Sequence, residues 1–280
     1  MTRVRGLAFF TALRRLLKGR VQFDTFLMMR FDPVGPPVLL GRWILRGVLP
    51  PAVMDPYMAG AYRLDPFYRF TDVPPAGALY RLSDIAPDRF FSSEYFLRYY
   101  RQTRLRDEIG LLAPLPSGAM AHLSFSRRDF RGPYRRREIQ CLQHYSPILL
   151  ELLATHCHHT QQSDPAFAPR PDLGPRPDFG PRPDFAPRSD FAPRPDFAPR
   201  PGAASLDALI RDRVSQLPGG GLTAREAQIA ALVMQGHSNA SAALSLGIAR
   251  ETVKVHRRNL YRKLEISSQG ELFAMLGKLM

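Results

Sequence analysis

Apolar and polar residues alternate in short runs over the first part of this chain and recur at helical spacing near its end. Residues 21–31 (VQFDTFLMMRF) and 37–45 (PVLLGRWIL) read as strands joined by a turn through Asp32, Pro33, Val34, Gly35 and Pro36. Residues 119–125 (AMAHLSF) read as a later strand. Helical periodicity covers 93–103 and then 135–156, where Ile148, Leu149, Leu152 and Leu153 are expected to be buried. Strands mixed with helices over residues 1–162 predict an α+β domain of ordinary size with its own core.

The last sixty residues follow a different rhythm. Thr223 followed by Glu226 is a capping box, in which hydroxyl and carboxylate each satisfy an orphan N–H at a helix start. Ala227, Ile229, Ala230, Leu232 and Val233 continue as an apolar stripe, and Gly236 can supply the left-handed residue that ends the helix. Ser238 opens a short second helix to Leu246, closed by Gly247. The turn Gly247-Ile248-Ala249 leads into a third helix over 250–264. Ser268 with Glu271 opens a fourth, burying Leu272, Phe273 and Leu276.

The third helix carries the chemistry. Val253, Leu260 and Leu264 face the core, which leaves Lys254, Val255, Arg257, Arg258, Tyr261, Arg262 and Lys263 outside. A helix fits the major groove of B-DNA, where Arg or Lys pairs with guanine acceptors and Val meets a thymine methyl. A charge run is more often a solvated helix face. The turns and caps that precede this one favour groove insertion.

At these residues the chain resembles the LuxR-type (GerE-like) helix-turn-helix regulators of bacteria. LTARE, G-x-SN, LGIARETVKVHRRNLYRKLEI and SSQGEL carry the likeness over about the last quarter of the chain. The resemblance implies that Thr252 holds a phosphate. It implies also that Lys254, Val255 and Arg258 face bases or the backbone beside them, and that the fourth helix is the dimer seam on DNA. Arg257 and Arg262 complete the candidate DNA-facing set. Where the family usually shows an acidic residue and then Ile, this chain has Ser241 and Ala242, which thins the packing between the scaffold helices. Residues 1–162 resemble the uncharacterised sensor regions of such regulators, of PAS/GAF kind, through AYRLDPFYRF, RLSDIAPDRFFSSEYFLRYYRQTRLRDEIG and ILLELLATH.

Charge agrees with an anionic partner. The 280 residues carry a formal charge of +14, and neutralising phosphates releases counterions. Membranes and RNA are anionic too, so charge alone does not single out DNA. Two cysteines point to a reducing cytoplasm rather than a disulfide scaffold. No apolar run approaches the roughly 20 residues of a membrane-spanning helix. The start, MTRVRGLAFFTALRRLLKGR, reads as a basic amphipathic helix, with membrane-surface binding as the lesser alternative.

A hexapeptide repeats five times from Asp172: DLGPRP, DFGPRP, DFAPRS, DFAPRP, DFAPRP. Its prolines forbid helix and central strand, which leaves polyproline II or disorder. Phe and Arg share one ridge of that helix, a docking face for a partner. A plain spacer is the favoured reading. The expected organisation is therefore a sensor-like domain over 1–162, a Pro-rich linker over 163–202, an amphipathic connecting helix over 203–217 and the DNA-binding domain over 218–280.

Other candidate sites are weaker. Asp65-Pro66 preceded by Tyr57 and Tyr62 is similar to the acyl-homoserine-lactone receptors, but the Trp expected upstream is missing, since the single Trp is Trp43. Asp65-Pro66 reads equally as a turn or helix start. Cys141, His144, His156, Cys157, His158 and His159 have zinc-like residue types; one helix through them would keep the two halves too far apart to share an ion, unless Ser146-Pro147 starts a new helix there. Glu94, Asp107 and Glu108 read as caps and surface pairs with Arg104 or Arg106. No P-loop, dinucleotide fingerprint or nucleophile elbow is present, so no catalytic residue is assigned.

The expectation is a cytoplasmic, non-enzymatic transcription regulator that binds double-stranded DNA as a homodimer, needs no cofactor or metal and has no membrane partner. RNA polymerase is a possible further partner, and the small-molecule effector is unassigned. The rivals are a small-molecule enzyme on residues 1–162 fused to a DNA-binding tail, and a scaffold that recruits partners through the Phe/Arg repeat.

Overall fold

The computed structural model describes residues 11–32, 35–44, 51–69, 78–162, 205–217 and 221–277. The hexapeptide repeats and the first ten residues lie outside them, as do Pro33 and Val34 of the first turn. Five antiparallel strands, β1 (Thr25–Phe31), β2 (Val38–Ile44), β3 (Ala78–Arg81), β4 (Leu105–Pro114) and β5 (Met120–Arg128), form one sheet. Their order is β2-β1-β5-β4-β3. With α1 (residues 11–17), α2 (Pro51–Ala59), α3 (Pro66–Arg69), α4 (Leu82–Ile85) and α5 (Arg136–Gln162), this is the α+β architecture that the sequence predicts.

The sheet is covered on both faces, and the two coverings differ. On one face Phe26, Met28, Ile109, Leu111, Leu123 and Phe125 meet Leu13 and Leu17 of α1 and Leu142, Leu149, Leu153 and Cys157 of α5. The basic side of α1 stays outside, with Arg14 over the Trp43 ring at 4.8 Å. On the other face Met29, Phe31, Leu112 and Met120 meet Tyr57 of α2 and Tyr62. His122 lies there between the rings of Phe31 and Phe67, at 5.6 and 4.8 Å, and burial pulls its pKa down to about 3. Double coverage explains why β1 is buried at every position and reads as an almost continuous apolar run.

The structure corrects several expectations. β3 and β4 have no counterpart among the expected strands. Near its start β4 carries Arg106, Asp107 and Glu108, a run that reads as surface charge. Instead Asp107 and Glu108 are buried, and Arg104 pairs with Asp129. The Asp107 carboxylate accepts from Arg81 at 2.8 Å and from the Tyr134 backbone N–H at 2.7 Å. Glu94 is a surface residue as expected, but its partner is Arg98 at 3.7 Å. In α5 Leu149 and Leu153 are buried, whereas Ile148 and Leu152 are 58% and 43% exposed. The buried stripe of that helix is narrower than its apolar residues suggest.

α5 runs unbroken through Pro147 for 27 residues. At about 1.5 Å per residue its geometry keeps Cys141 and Cys157 roughly 24 Å apart. Burial pushes the Cys157 thiol up to about 12, so it remains a neutral thiol.

The C-terminal unit contains α6 (Leu206–Ser215), α7 (Ala224–Gln235), α8 (Asn239–Leu246), α9 (Arg250–Lys263) and α10 (Gln269–Gly277). The capping box at Thr223 is complete: Glu226 N–H donates to Thr223 Oγ1 at 3.2 Å, and Thr223 N–H donates to Glu226 Oε2 at 2.9 Å. Gly236 and Gly247 close α7 and α8 with φ of 92° and 62°, the left-handed region where a side chain is strained. Ser268 caps α10 through Glu271 N–H, while the Glu271 carboxylate accepts from the Ser267 N–H and from the hydroxyls of Ser267 and Ser268.

This unit docks on the sheet domain. Arg89 N–H donates to Gly236 O at 2.9 Å, and Ser238 N–H donates to Asp88 Oδ1 at 2.9 Å. Burial raises the Asp88 pKa, but the Ser238 hydrogen bonds and the nearby His237 outweigh it and hold the carboxyl below its usual range. A Cβ on Gly236 would come within 2.8 Å of the Phe90 Cα, so glycine permits the close approach.

Candidate nucleic-acid interface and an acidic cavity

The helices α7 and α8 seat α9 by its apolar side. Val253, Leu260 and Leu264 are buried as expected. Thr252, Lys254, Val255, Arg258 and Arg262 are exposed along the opposite side. Arg257 is half-buried instead. Its guanidinium donates to Asn239 Oδ1 of α8 at 3.2 Å and to the Tyr261 hydroxyl at 3.0 Å, and it lies over the Tyr261 ring. This residue braces the two helices against each other.

Lys263 does not belong to the outward set either. Its Nζ lies 2.7 Å from Glu226 Oε2 and donates to Gly221 O at 3.4 Å. Burial pushes the Glu226 carboxyl up, but Lys263 and the Thr223 bonds hold it below the usual carboxylate range. The lysine thus ties the end of α9 to the capping box of α7. At the family departure Ser241 sits 2.8 Å from His237 Nδ1, and Ala242 is buried beneath it. On α10, Leu272, Phe273 and Leu276 are buried and Met275 is half-buried. The Arg98 guanidinium of the sheet domain lies over the Phe273 ring at 4.9 Å.

A cavity opens between the sheet and the helices on its α2 side. It holds about 490 Å³ of atom-free space, counting its mouth. Leu27 and Met29 of β1, Glu108 of β4, Ser124 and Ser126 of β5 and Asp65 line it, together with Tyr57, Tyr95, Tyr99 and Tyr100. Asp65 sits before α3, where its Oδ1 accepts the Phe67 N–H at 2.8 Å and its Oδ2 accepts the Tyr57 hydroxyl at 2.9 Å. Asp65-Pro66 is therefore a helix start. The Tyr100 hydroxyl donates to Glu108 Oε2 at 2.8 Å.

Burial pushes Asp65 up to about 6. Burial and then repulsion from Asp65 push Glu108 up to about 8. The same burial raises Tyr57, Tyr95 and Tyr100 well above the phenol range, so their hydroxyls stay donors. Sequence reading missed this pair. The signal was present in DEIG within LRDEIGLLAP: adjacent acids followed by an apolar run place one carboxylate on each face of a strand.

Together these parts define a helix-turn-helix DNA-binding unit joined to a sensor-like α+β domain. Residues 221–276 match the bacterial regulatory proteins of the luxR family, and the C-terminal unit is a LuxR-family helix-turn-helix domain. The chain is 28% identical over 212 residues to a candidate HTH-type transcriptional regulator from the exeN 3′ region of Aeromonas salmonicida, covering 75% of this chain and 91% of that protein. The response regulator TodT of Pseudomonas putida is 41% identical over 58 residues, 21% of this chain and 26% of TodT. Among solved structures, the LBD domain of VqsR from Pseudomonas aeruginosa is 23% identical with a TM-score of 0.47, covering 54% of this chain and 86% of that one. No helix among the described residues is long and apolar enough to cross a membrane.

Proposed function

We propose that this LuxR-family regulator controls transcription by placing α9 in the major groove of double-stranded DNA, with the sheet domain sensing a small molecule. The observation that carries the reading is the division of α9. Val253, Leu260 and Leu264 anchor it, and Thr252, Lys254, Val255, Arg258 and Arg262 share its open side. Lys254 and Arg258 are one turn apart, the spacing at which two side chains reach neighbouring base pairs. Thr252, in the first turn, suits a phosphate, which positions the helix without reading sequence. Arg257 acts on this reading through Asn239, by fixing the angle between α8 and α9.

The active form is a homodimer on two half-sites, because two-fold protein symmetry demands a two-fold site. Leu276 belongs to the head's own core, so Met275 and the exposed neighbours on α10 are left to form the seam. Arg98 covers Phe273 on that helix, so docking on the sheet domain and pairing through α10 exclude each other. A signal that loosens the docking then favours DNA-bound dimers. The division at residues 162, 202 and 217, the cytoplasmic setting and a later contact with RNA polymerase belong to the same proposal. No enzymatic step is required.

Genome-wide occupancy of the intact protein and of Lys254→Ala tests the reading. Discrete peaks that share a two-fold-symmetric motif and vanish in the variant are expected. Occupancy that is uniform, or indifferent to the substitution, would contradict it.

A further inference from the structure

The cavity on the α2 side is chemically one-sided. Asp65 and Glu108 are both buried in it, and no Arg, Lys or His stands among the described residues that line it. Neither carboxylate enters an ion pair among the described residues, whereas buried Asp24, Asp107 and Glu138 all do. A buried carboxylate normally has a cation or is neutralised. Here the hydroxyls of Tyr57 and Tyr100 supply one hydrogen bond to each, and Ser124 stands beside Glu108 as a further hydroxyl.

Two further polar atoms are buried on the same sheet face. Ser124 Oγ lines the cavity, buried beside the Glu108 carboxyl. Thr25 Oγ1 has no hydrogen-bond partner, in the β-sheet row that joins Thr25, Ser126 and Glu108. An orphaned buried hydroxyl near two acids that have no cation describes a site whose remaining partner is a ligand. The aromatic lining narrows its character. Tyr95 and Tyr99 lie 4.9 Å apart, and ring faces attract a cation as well as an apolar chain.

We infer that this cavity binds an organic cation, a primary or secondary ammonium group seated between Asp65 and Glu108 with its apolar portion against Tyr57, Tyr95 and Tyr99. The inference rests on the sheet domain being the sensor. A neutral ligand would leave the remaining negative charge of the pair without a counter-charge, and an anionic one would meet it head-on. The groups that face Glu108 are Asp65, Tyr57 of α2, Tyr95, Tyr100 of the π-helical segment Phe96–Arg101, Ser124 of β5, and Asp107 on its own strand, which Arg81 already holds. At neutral pH the two cavity acids retain about one proton between them. An arriving ammonium replaces that proton, so binding releases it.

Isothermal titration of the full chain at pH 7, in two buffers of different ionisation enthalpy, reads both events. The probes are hexylamine, N-methylhexylamine and 2-phenylethylamine, with hexan-1-ol and hexanoate as controls. At least one amine is expected to bind with release of close to one proton, and the controls to bind at least tenfold more weakly. Glu108→Gln keeps the shape of the site, so its folding is checked by circular dichroism. It should bind the same amine at least tenfold more weakly and release no proton, and Asp65→Asn should weaken binding likewise. Silence from all three amines, hexan-1-ol binding as tightly as hexylamine, or indifference to Glu108→Gln would overturn the inference. An amine that binds but leaves genomic occupancy unchanged supports the site and counts against the sensor reading alone, because the heat is read without DNA.

Discussion

Glu226 in the head and Glu108 in the sheet domain are both buried carboxylates, yet their surroundings are opposite. Glu226 closes a capping box and meets Lys263 at 2.7 Å, and these partners hold its carboxyl low. Glu108 meets another acid and tyrosine hydroxyls, and its carboxyl is pushed up. The head settles its internal charges among its own residues, and its remaining cations stand outward on α9. The sheet domain leaves an internal charge unsettled. A completed unit presents a surface to a partner, whereas an uncompensated cavity waits for one.

The largest effect expected from breaking this contrast is in the head. Lys263→Met leaves Glu226 buried without its cation. Stranding a buried charge costs about 3–5 kcal/mol. The Lys263 side chain is 36% exposed. Solvent screening therefore brings the expected loss to about 1–3 kcal/mol. Scanning calorimetry should show the head melting several degrees lower, and Glu226→Gln added to Lys263→Met should recover much of the loss.

The sheet domain should respond with the opposite sign. Unfolding lets the Glu108 carboxyl ionise near its ordinary value of about 4.5, while the folded form holds its proton to about 8. Stability is therefore full below about pH 4.5 and falls as pH rises through 8. Glu108→Gln removes that dependence. Its melting temperature should exceed that of the parent by on the order of 3 °C at pH 8.5, with a much smaller difference at pH 5. Equal curves at both pH values would show that this carboxyl is not held protonated by the fold.

A smaller effect is expected where the two units meet. Asp88→Ala removes the acceptor for Ser238 N–H, worth about 1 kcal/mol. Analytical ultracentrifugation should show a modest rise in self-association, because α10 is uncovered more often. The smallest effect belongs to the repeats. Replacing Phe179, Phe185, Phe191 and Phe197 by Ala should leave DNA affinity within about twofold, since a spacer acts through its length. A larger loss at equal protein level would make the Phe/Arg ridge a docking element.

The head was legible because its signals are local. Thr223, Gly236, Ser238, Gly247 and Ser268 mark helix ends within a few residues of themselves, and their geometry follows from short-range hydrogen bonds. Arg257 and Lys263 misled because their partners, Asn239 and Glu226, lie a helix away. In the sheet domain the informative contacts are distant almost throughout. Asp65 and Glu108 come together only because α3 folds back over β4. Ile148 and Leu152 show the same limit: apolar type at helical spacing does not tell how wide a face the neighbouring sheet covers.

The central claim is that the open side of α9 reads DNA sequence. Selection of the full-length protein on randomised duplexes, followed by affinity measurements on the selected and unrelated sites, tests it most directly. Lys254→Ala and Arg258→Ala should each flatten the preference at specific base pairs, by about 1–3 kcal/mol of discrimination. Thr252→Ala should weaken selected and unrelated sites alike. The account is contradicted if all three variants select the parent motif with parent affinity.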